Sequence, residues 1–239
     1  MTRRFTARLA ENAKDVQAAQ ALRGRVFRQG QVDVDSYDEN CLHVLVQDQA
    51  TRRIACTFRI QPFENGTEIS RSYAAQFYEL SALKTYTGKL VEMGRFCIDP
   101  QYNNPDILRA AWGFMTRYVD EKGVKLMFGC SSFHGAKAEA HLEAFALLKA
   151  RHLAPRKFLP QIKAPKVFRF ARLMRKPNLR AAQNAMPPLL RTYLMMGGWT
   201  SDHAVVDRDL DTLHVFTGLE IGAIPAARKR VLRAEAGVS

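Results

Sequence analysis

Apolar residues recur along this chain with two periods, and the switches between them mark out its elements. Residues 13–28 (Ala-Lys-Asp-Val-Gln-Ala-Ala-Gln-Ala-Leu-Arg-Gly-Arg-Val-Phe-Arg) carry an apolar stripe at helical spacing, with Arg23 and Phe27 four apart on one face. The stretch Gly30–Asn40 is acidic and aperiodic, and reads as a loop. Two alternating runs follow, Leu42–Gln47 and Arg53–Gln61. The turn residues between them, starting at Asp48, predict an antiparallel hairpin. Pro62–Lys89 is less regular, with a short amphipathic helix expected around Ser72–Leu83. The apolar run Leu90–Ile98 reads as a buried strand, and Asp99–Asn104 as a polar loop. Pro105–Lys122 reads as a helix with Asn104 as N-cap, proline in its first position and Gly123 at its end.

Val124–Phe128 is a further strand, Gly129–Gly135 a tight polar loop and Ala138–His152 a long helix. Past Pro155 the chain is richer in Pro and Arg, with a helix near Pro187–Met196 and strand-like runs at His203–Val206 and Thr212–Leu219. This order predicts an α/β (α+β) fold in which helices flank one mixed, mostly antiparallel central sheet. Residues 1–225 are expected to form a single domain, and 226–239 a frayed basic tail.

Composition narrows the class. With 239 residues and 47% apolar content the chain can bury a sizeable core. No apolar run reaches the length of a bilayer span, and the arginines at the N-terminus have no apolar region behind them, so neither a membrane helix nor a signal peptide is expected. Cys41, Cys56, Cys97 and Cys130 form no C-x-x-C pair and read as reduced core thiols of a cytoplasmic protein. The histidines show no ligand spacing, so no metal is expected.

The net charge of +13 is unevenly spread: Ala144–Ser201 holds twelve Lys or Arg and no Asp or Glu. Apolar residues such as Phe158, Ile162, Phe168 and Met174 are interleaved with them. Such a segment suits an anionic partner, and Arg156, Lys157, Lys163, Lys166, Arg169 and Arg172 are its candidate docking residues. A nucleic-acid-binding protein is an alternative at this charge. No helix-turn-helix, zinc finger or RNP-type motif accompanies it, so no nucleic-acid partner is expected.

The candidate chemistry lies elsewhere. Glu92 interrupts an apolar strand, and a carboxylate there is costly unless paired or working. It could take the proton from an ammonium group that must become a neutral nucleophile. Arg95 would face the other way in an ideal strand, and Gly94 between them suggests a β-bulge that brings both to one cleft. Asp35 and Asp38 either cap turns or bind cationic groups. Arg59, amid apolar strand residues, is either their partner or a clamp for a substrate carboxylate.

Arg23-x-x-x-Phe27, Asp35-x-x-Asp38, Arg59 and Glu92-x-x-Arg95-Phe96 together resemble the signature of acyl-homoserine-lactone synthases, whose fold is similar to that of GCN5-related N-acetyltransferases (GNAT). Three further blocks, Leu90–Ile98, Leu126–Gly135 and Pro187–Leu194, more closely resemble the bacterial L-ornithine N-alpha-acyltransferases. That resemblance covers roughly residues 20–220. It implies transfer of a 3-hydroxy fatty acyl chain from acyl carrier protein to the α-amine of L-ornithine, the first step of ornithine lipid synthesis. By the same resemblance Glu92 is catalytic, and Arg23, Phe27, Asp35, Asp38, Arg59, Arg95 and Ser132 bind substrate. No cofactor is implied beyond the acyl-carrier-protein thioester. The acidic carrier suits the basic segment, which is also expected to contact an anionic inner membrane peripherally.

Phe96, the run Gly197–His203 and Leu213-His214 depart from the family pattern. They lie where an acceptor amino acid would be read, so a glutamine N-acyltransferase stays as an alternative, beside the lactone synthase. The turn Asp99–Pro105 has no glycine, unlike the turn with which acetyl-CoA enzymes of this fold cradle a pyrophosphate. That too favours a carrier-protein donor.

Overall fold

The computed structural model describes residues 3–237. In chain order its first elements are β1 (Phe5–Leu9), α1 (Ala13–Phe27), β2 (Leu42–Asp48), β3 (Ile54–Phe63), β4 (Tyr78–Glu79), β5 (Leu90–Ile98) and α2 (Pro105–Lys122). There follow β6 (Leu126–His134), α3 (Leu142–Arg151), β7 (Gln161–Ile162), β8 (Val167–Phe168), α4 (Leu179–Ala185) and α5 (Pro188–Met195). The last are β9 (Trp199–Thr200), β10 (Ala204–Asp207), β11 (Thr212–Glu220) and α6 (Ala226–Ala236). They group into two compact units, one of residues 1–62, 93–124 and 226–239, the other of residues 63–92 and 125–225.

In the first unit β1, β2 and β3 pair antiparallel, with a register shift between Val46 and Gln47. The hairpin forms where the alternating pattern placed it, and the inward face carries Val44, Val46, Phe58 and Ile60, all fully buried. Phe96 stacks on Phe58 with ring centroids 5.4 Å apart. Helix α2 begins with Asn104 accepting the Asp106 N–H and ends at Gly123, whose φ of +67° is left-handed. The expected frayed tail is instead the helix α6 over residues 226–236. Arg233 bonds Asp120 at 2.9 Å, Arg117 donates to the Ala236 carbonyl at 3.0 Å, and Gly113 leaves room for the Ala236 backbone. Those tertiary contacts with α2 order a segment whose composition alone reads as solvated.

In the second unit β6 runs parallel to the start of β5 and antiparallel to β11, while β10 bridges β11 and β8. The polar stretch expected as a loop at Gly129–Gly135 is the second half of strand β6. Its hydroxyls have strand partners: Thr217 Oγ1 donates to Ser131 Oγ at 2.9 Å. Gly218 on β11 lies under the Trp199 indole, where a Cβ would sit 2.4 Å from the ring.

The helix expected around Ser72–Leu83 is replaced by tight turns at Gly66–Arg71, Ala74–Gln76 and Ser81–Leu83, with β4 between the last two. Local bonds such as Ser72 Oγ to the Ile69 carbonyl, 2.7 Å, compete with a helix here, and Tyr78 is drawn fully into the core. The helix expected from Ala138 opens with one 3-10 turn, Ala138–His141, before α3.

Gly24 on α1 sets the path of the following loop. A Cβ there would lie 2.0 Å from the Gln31 carbonyl oxygen, and the Gly24 carbonyl accepts the N–H groups of Arg28 and Gly30. Gly24→Ala should therefore destabilise the protein by about 2 kcal/mol in chemical denaturation, with faster amide exchange across Gln31–Asp38. Unchanged stability would contradict the close approach.

Candidate active site

The loop after α1 is pinned in the first unit by a buried ion network. Arg23, fully buried, donates from Nε to Asp33 at 2.8 Å and from Nη1 to Asp38 at 2.6 Å. Arg59 reaches up from β3 to Asp35 at 2.5 Å and to Asp38 at 2.7 Å. Arg95 on β5 joins Asp35 at 3.1 Å and Asp33 at 3.2 Å, and Arg28 adds a bond to Asp33 at 3.1 Å. Gln20 also donates to Asp38, and the Asp35 carboxylate accepts the Tyr37 N–H.

Burial alone would raise the Asp35 and Asp38 carboxyls. The hydrogen bonds and charge of Arg59 for Asp35, and of Arg23 and Arg59 for Asp38, outweigh it and hold both below the ordinary carboxylate range. The same partners raise the Arg59 guanidinium against its desolvation. The spacing that singled out Arg23, Asp35, Asp38, Arg59 and Arg95 thus corresponds to one cluster, and Arg59 is a partner of the acids. Asp33 and Arg28 complete it and escaped the sequence reading. Their signal was the alternation Val32-Asp33-Val34-Asp35, in which the valines are exposed and Asp33 is buried. Phe27 is half-buried at the end of α1.

The irregularity expected at Gly94 falls one residue later. Arg95 itself has φ +53°, the left-handed region that a side chain enters at a cost. Its two aspartate partners, reached from that conformation, offset the strain.

Glu92 is buried in the second unit, at the last residue where β5 pairs with β6. Its Oε2 accepts the Tyr73 N–H and its Oε1 the Ala74 N–H, each at 2.7 Å. The strand carboxylate therefore caps the 3-10 turn Ala74–Gln76 and is fixed in orientation by two backbone donors. β6 continues to His134 beyond its pairing with Glu92, and its register there is with β11. Ser132 is exposed on that extension, opposite His214 of β11.

His214 anchors a second buried polar group. Tyr78 Oη donates to the His214 carbonyl at 2.8 Å and lies 3.1 Å from Nδ1, while Phe77 packs edge-on against the imidazole at 4.9 Å. Nε2 of His214 is buried without a hydrogen-bond partner among the described residues. Burial, aided by the charge of His203, pulls the imidazole down to about 4, so it is neutral at pH 7. His203 in turn lies 2.7 Å from Asp202. Neither histidine stood out in the sequence except as a departure from the family pattern.

The basic candidates Arg156, Lys157, Lys163, Lys166, Arg169 and Arg172 are all exposed in the second unit. Lys157 lies over the Phe158 ring at 4.4 Å, and Lys163 donates to the Ala75 carbonyl. In the first unit Asp99 is buried at the entrance to α2 and accepts the Gln101 N–H at 3.0 Å. Among the described residues no group of three or more His, Cys, Asp or Glu is placed to hold a metal, and no helix is long and apolar enough to cross a membrane.

Residues 18–113 match the model of the Acetyltransferase (GNAT) domain. An L-ornithine N(alpha)-acyltransferase from Brucella abortus is 32% identical, over 91% of this chain and 84% of its own length. Another, from Rhizobium meliloti, is also 32% identical, over 96% of this chain and 84% of its own. Among solved structures, a CoA-dependent acyl-homoserine lactone synthase shares the fold with a TM-score of 0.51 at 14% identity, covering 98% of this chain and 89% of that one.

Two outcomes test the electrostatics. Asp38→Asn leaves Arg23 and Arg59 short of a charge and should cost about 3 kcal/mol of stability by denaturant titration; a loss near zero would show that the cluster is not a structural constraint. For His214, the unfolded chain takes up a proton below its ordinary value of 6.5 that the folded chain refuses until about 4. Stability should fall as pH drops through that window, by about 3 kcal/mol from this group. Burial holds His43 and His152 down as well, so they add in the same direction. His214→Gln should flatten, without abolishing, the loss measured between neutral and mildly acid pH. An unchanged slope would mean that His214 titrates normally.

Proposed function

The chain belongs to the L-ornithine N(alpha)-acyltransferase family, and on that premise we propose that it moves a 3-hydroxy fatty acyl group from acyl carrier protein to the α-amine of L-ornithine, making lyso-ornithine lipid. It is an acyltransferase, and what has to be explained is how the acceptor amine becomes a nucleophile. That amine is mostly protonated near neutral pH. The observation that carries the reading is Glu92: a buried carboxylate, oriented by two backbone N–H groups, at the point where the β5–β6 ladder stops.

Glu92 accepts the ammonium proton directly or through one water, and the free lone pair attacks the thioester carbonyl carbon. As the C–N bond forms, the carbonyl electrons move to oxygen, where backbone N–H groups beside the central strand stabilise the oxyanion. Collapse breaks the C–S bond: the proton that Glu92 took from the ammonium goes to the departing thiolate, and Glu92, ionised again, accepts the second proton from the nitrogen and returns it to solvent. No covalent enzyme intermediate is needed, which leaves Cys130 without a chemical task.

Two features support a carrier-protein donor over free CoA. The α2 entrance, where a pyrophosphate would need free N–H donors, instead holds the buried Asp99, which occupies the Gln101 N–H and is itself paired with Arg25 at 3.1 Å. The exposed cations of Ala144–Ser201, with no acid among them, match the acidic surface of a carrier protein. The same charge favours peripheral contact with an anionic inner leaflet, where an amphiphilic product would be released.

Glu92→Gln should lower kcat about a hundredfold or more near neutral pH. The deficit should shrink as pH rises and the amine deprotonates unaided. A variant that turns over like the parent, or one whose deficit is the same at every pH, would remove Glu92 from proton transfer.

A further inference from the structure

We propose that the segment Phe170–Arg180 is a preformed prong that docks the protein on an anionic lipid surface, with Met174 entering the interface and Arg172, Lys176 and Arg180 meeting the head groups. The choice of a bilayer as occupant rests on the lyso-lipid reading above, because such a product has to leave into a membrane.

Met174 is 98% exposed, the most exposed large apolar side chain among the described residues. Leu179, five residues on, is 43% exposed. Around them Arg172, Arg175, Lys176 and Arg180 are exposed as well, in a region without a single acid.

The backbone that carries Met174 is held from both sides. Upstream, Phe170 is fully buried and stacks on Phe145 with centroids 5.1 Å apart and planes 8° from parallel. Lys149 Nζ donates to the Leu173 carbonyl at 2.5 Å. Downstream, Glu143 binds the Arg175 guanidinium and also accepts the Asn178 N–H at 2.7 Å, and Asn178 in turn caps α4 through the Ala181 N–H. An apolar tip that points into water from a fixed backbone meets its ordering cost on folding rather than on binding.

An acidic protein would also attract these cations. The fully solvated apolar tip favours the membrane, because interfacial anchoring combines inserted apolar surface with attraction to anionic lipid, and neither signal alone holds a protein firmly. Arg175 is spoken for by Glu143, which leaves Arg172, Lys176 and Arg180 for the head groups.

The test is co-sedimentation of the full chain with vesicles of mixed phosphatidylglycerol and phosphatidylcholine, against phosphatidylcholine alone. Binding is expected only to the anionic vesicles and should weaken with added salt. Met174→Asp should weaken it about tenfold, and the triple change of Arg172, Lys176 and Arg180 to Ala by at least as much. These side chains are exposed, and thermal denaturation checks that the variants fold like the parent. Equal binding by Met174→Asp, or no preference for anionic vesicles, overturns the proposal. So does a pattern in which vesicle binding is unchanged and only the KM for 3-hydroxyacyl carrier protein rises, since the prong would then be a carrier dock. Sedimentation needs no turnover: a chain that transfers acyl groups in solution and ignores vesicles contradicts the prong alone.

Discussion

A charge taken out of water has to find donors or an opposite charge, and that requirement shapes both compact units. In the first, Arg23 in the C-terminal part of α1 is fully buried, and a bare guanidinium there would be prohibitive. Its pairing with Asp33 and Asp38 draws the loop 29–40 down onto the helix, and Arg59 and Arg95 tie the same loop to β3 and β5. In the second, Glu92 accepts two backbone N–H groups, those of Tyr73 and Ala74. A carboxylate held by fixed dipoles keeps its orientation, which is what the proposed proton transfer asks of it. Each unit thus satisfies its buried charge differently, one with opposite charges and the other with backbone donors.

Much of this was legible in the residue pattern. The strand Leu90–Ile98 and the helix Pro105–Lys122 have the bounds that their apolar run, Asn-Pro start and terminal glycine indicate. The hairpin followed from alternation, and five of the seven charged positions of the ion cluster stood out, Arg23 among them through the family resemblance. What escaped has a common cause: tertiary partners that a linear reading does not supply. Ser131 and Ser132 look like loop until Thr217 and His214 are laid beside them on β11. Residues 226–236 look like a solvated tail until α2 offers Asp120 and the space at Gly113. The segment Ser72–Leu83 has helical spacing, but Glu92, a residue distant in sequence, caps its turns.

The positions set apart in the sequence as expected departures from the family pattern acquire physical content. Phe96 stacks on Phe58, Trp199 fills the space that Gly218 leaves open, and the His214 imidazole, kept neutral by burial, lies 3.1 Å from Tyr78 Oη. In each case the residue has a complementary neighbour, so these positions form matched packing pairs. Substituting one member toward the family pattern without its neighbour would open a gap or strand a polar atom.

The central claim is that this chain joins an acyl group to the α-nitrogen of an amino acid. It is tested most directly by incubating the purified protein with 3-hydroxyacyl carrier protein and ornithine carrying heavy nitrogen at the α position, then fragmenting the lipid product by mass spectrometry. The account predicts a single acyl amide that retains the label at the acylated nitrogen. An amide on the side-chain nitrogen, or no acylated amino acid at all, would contradict it.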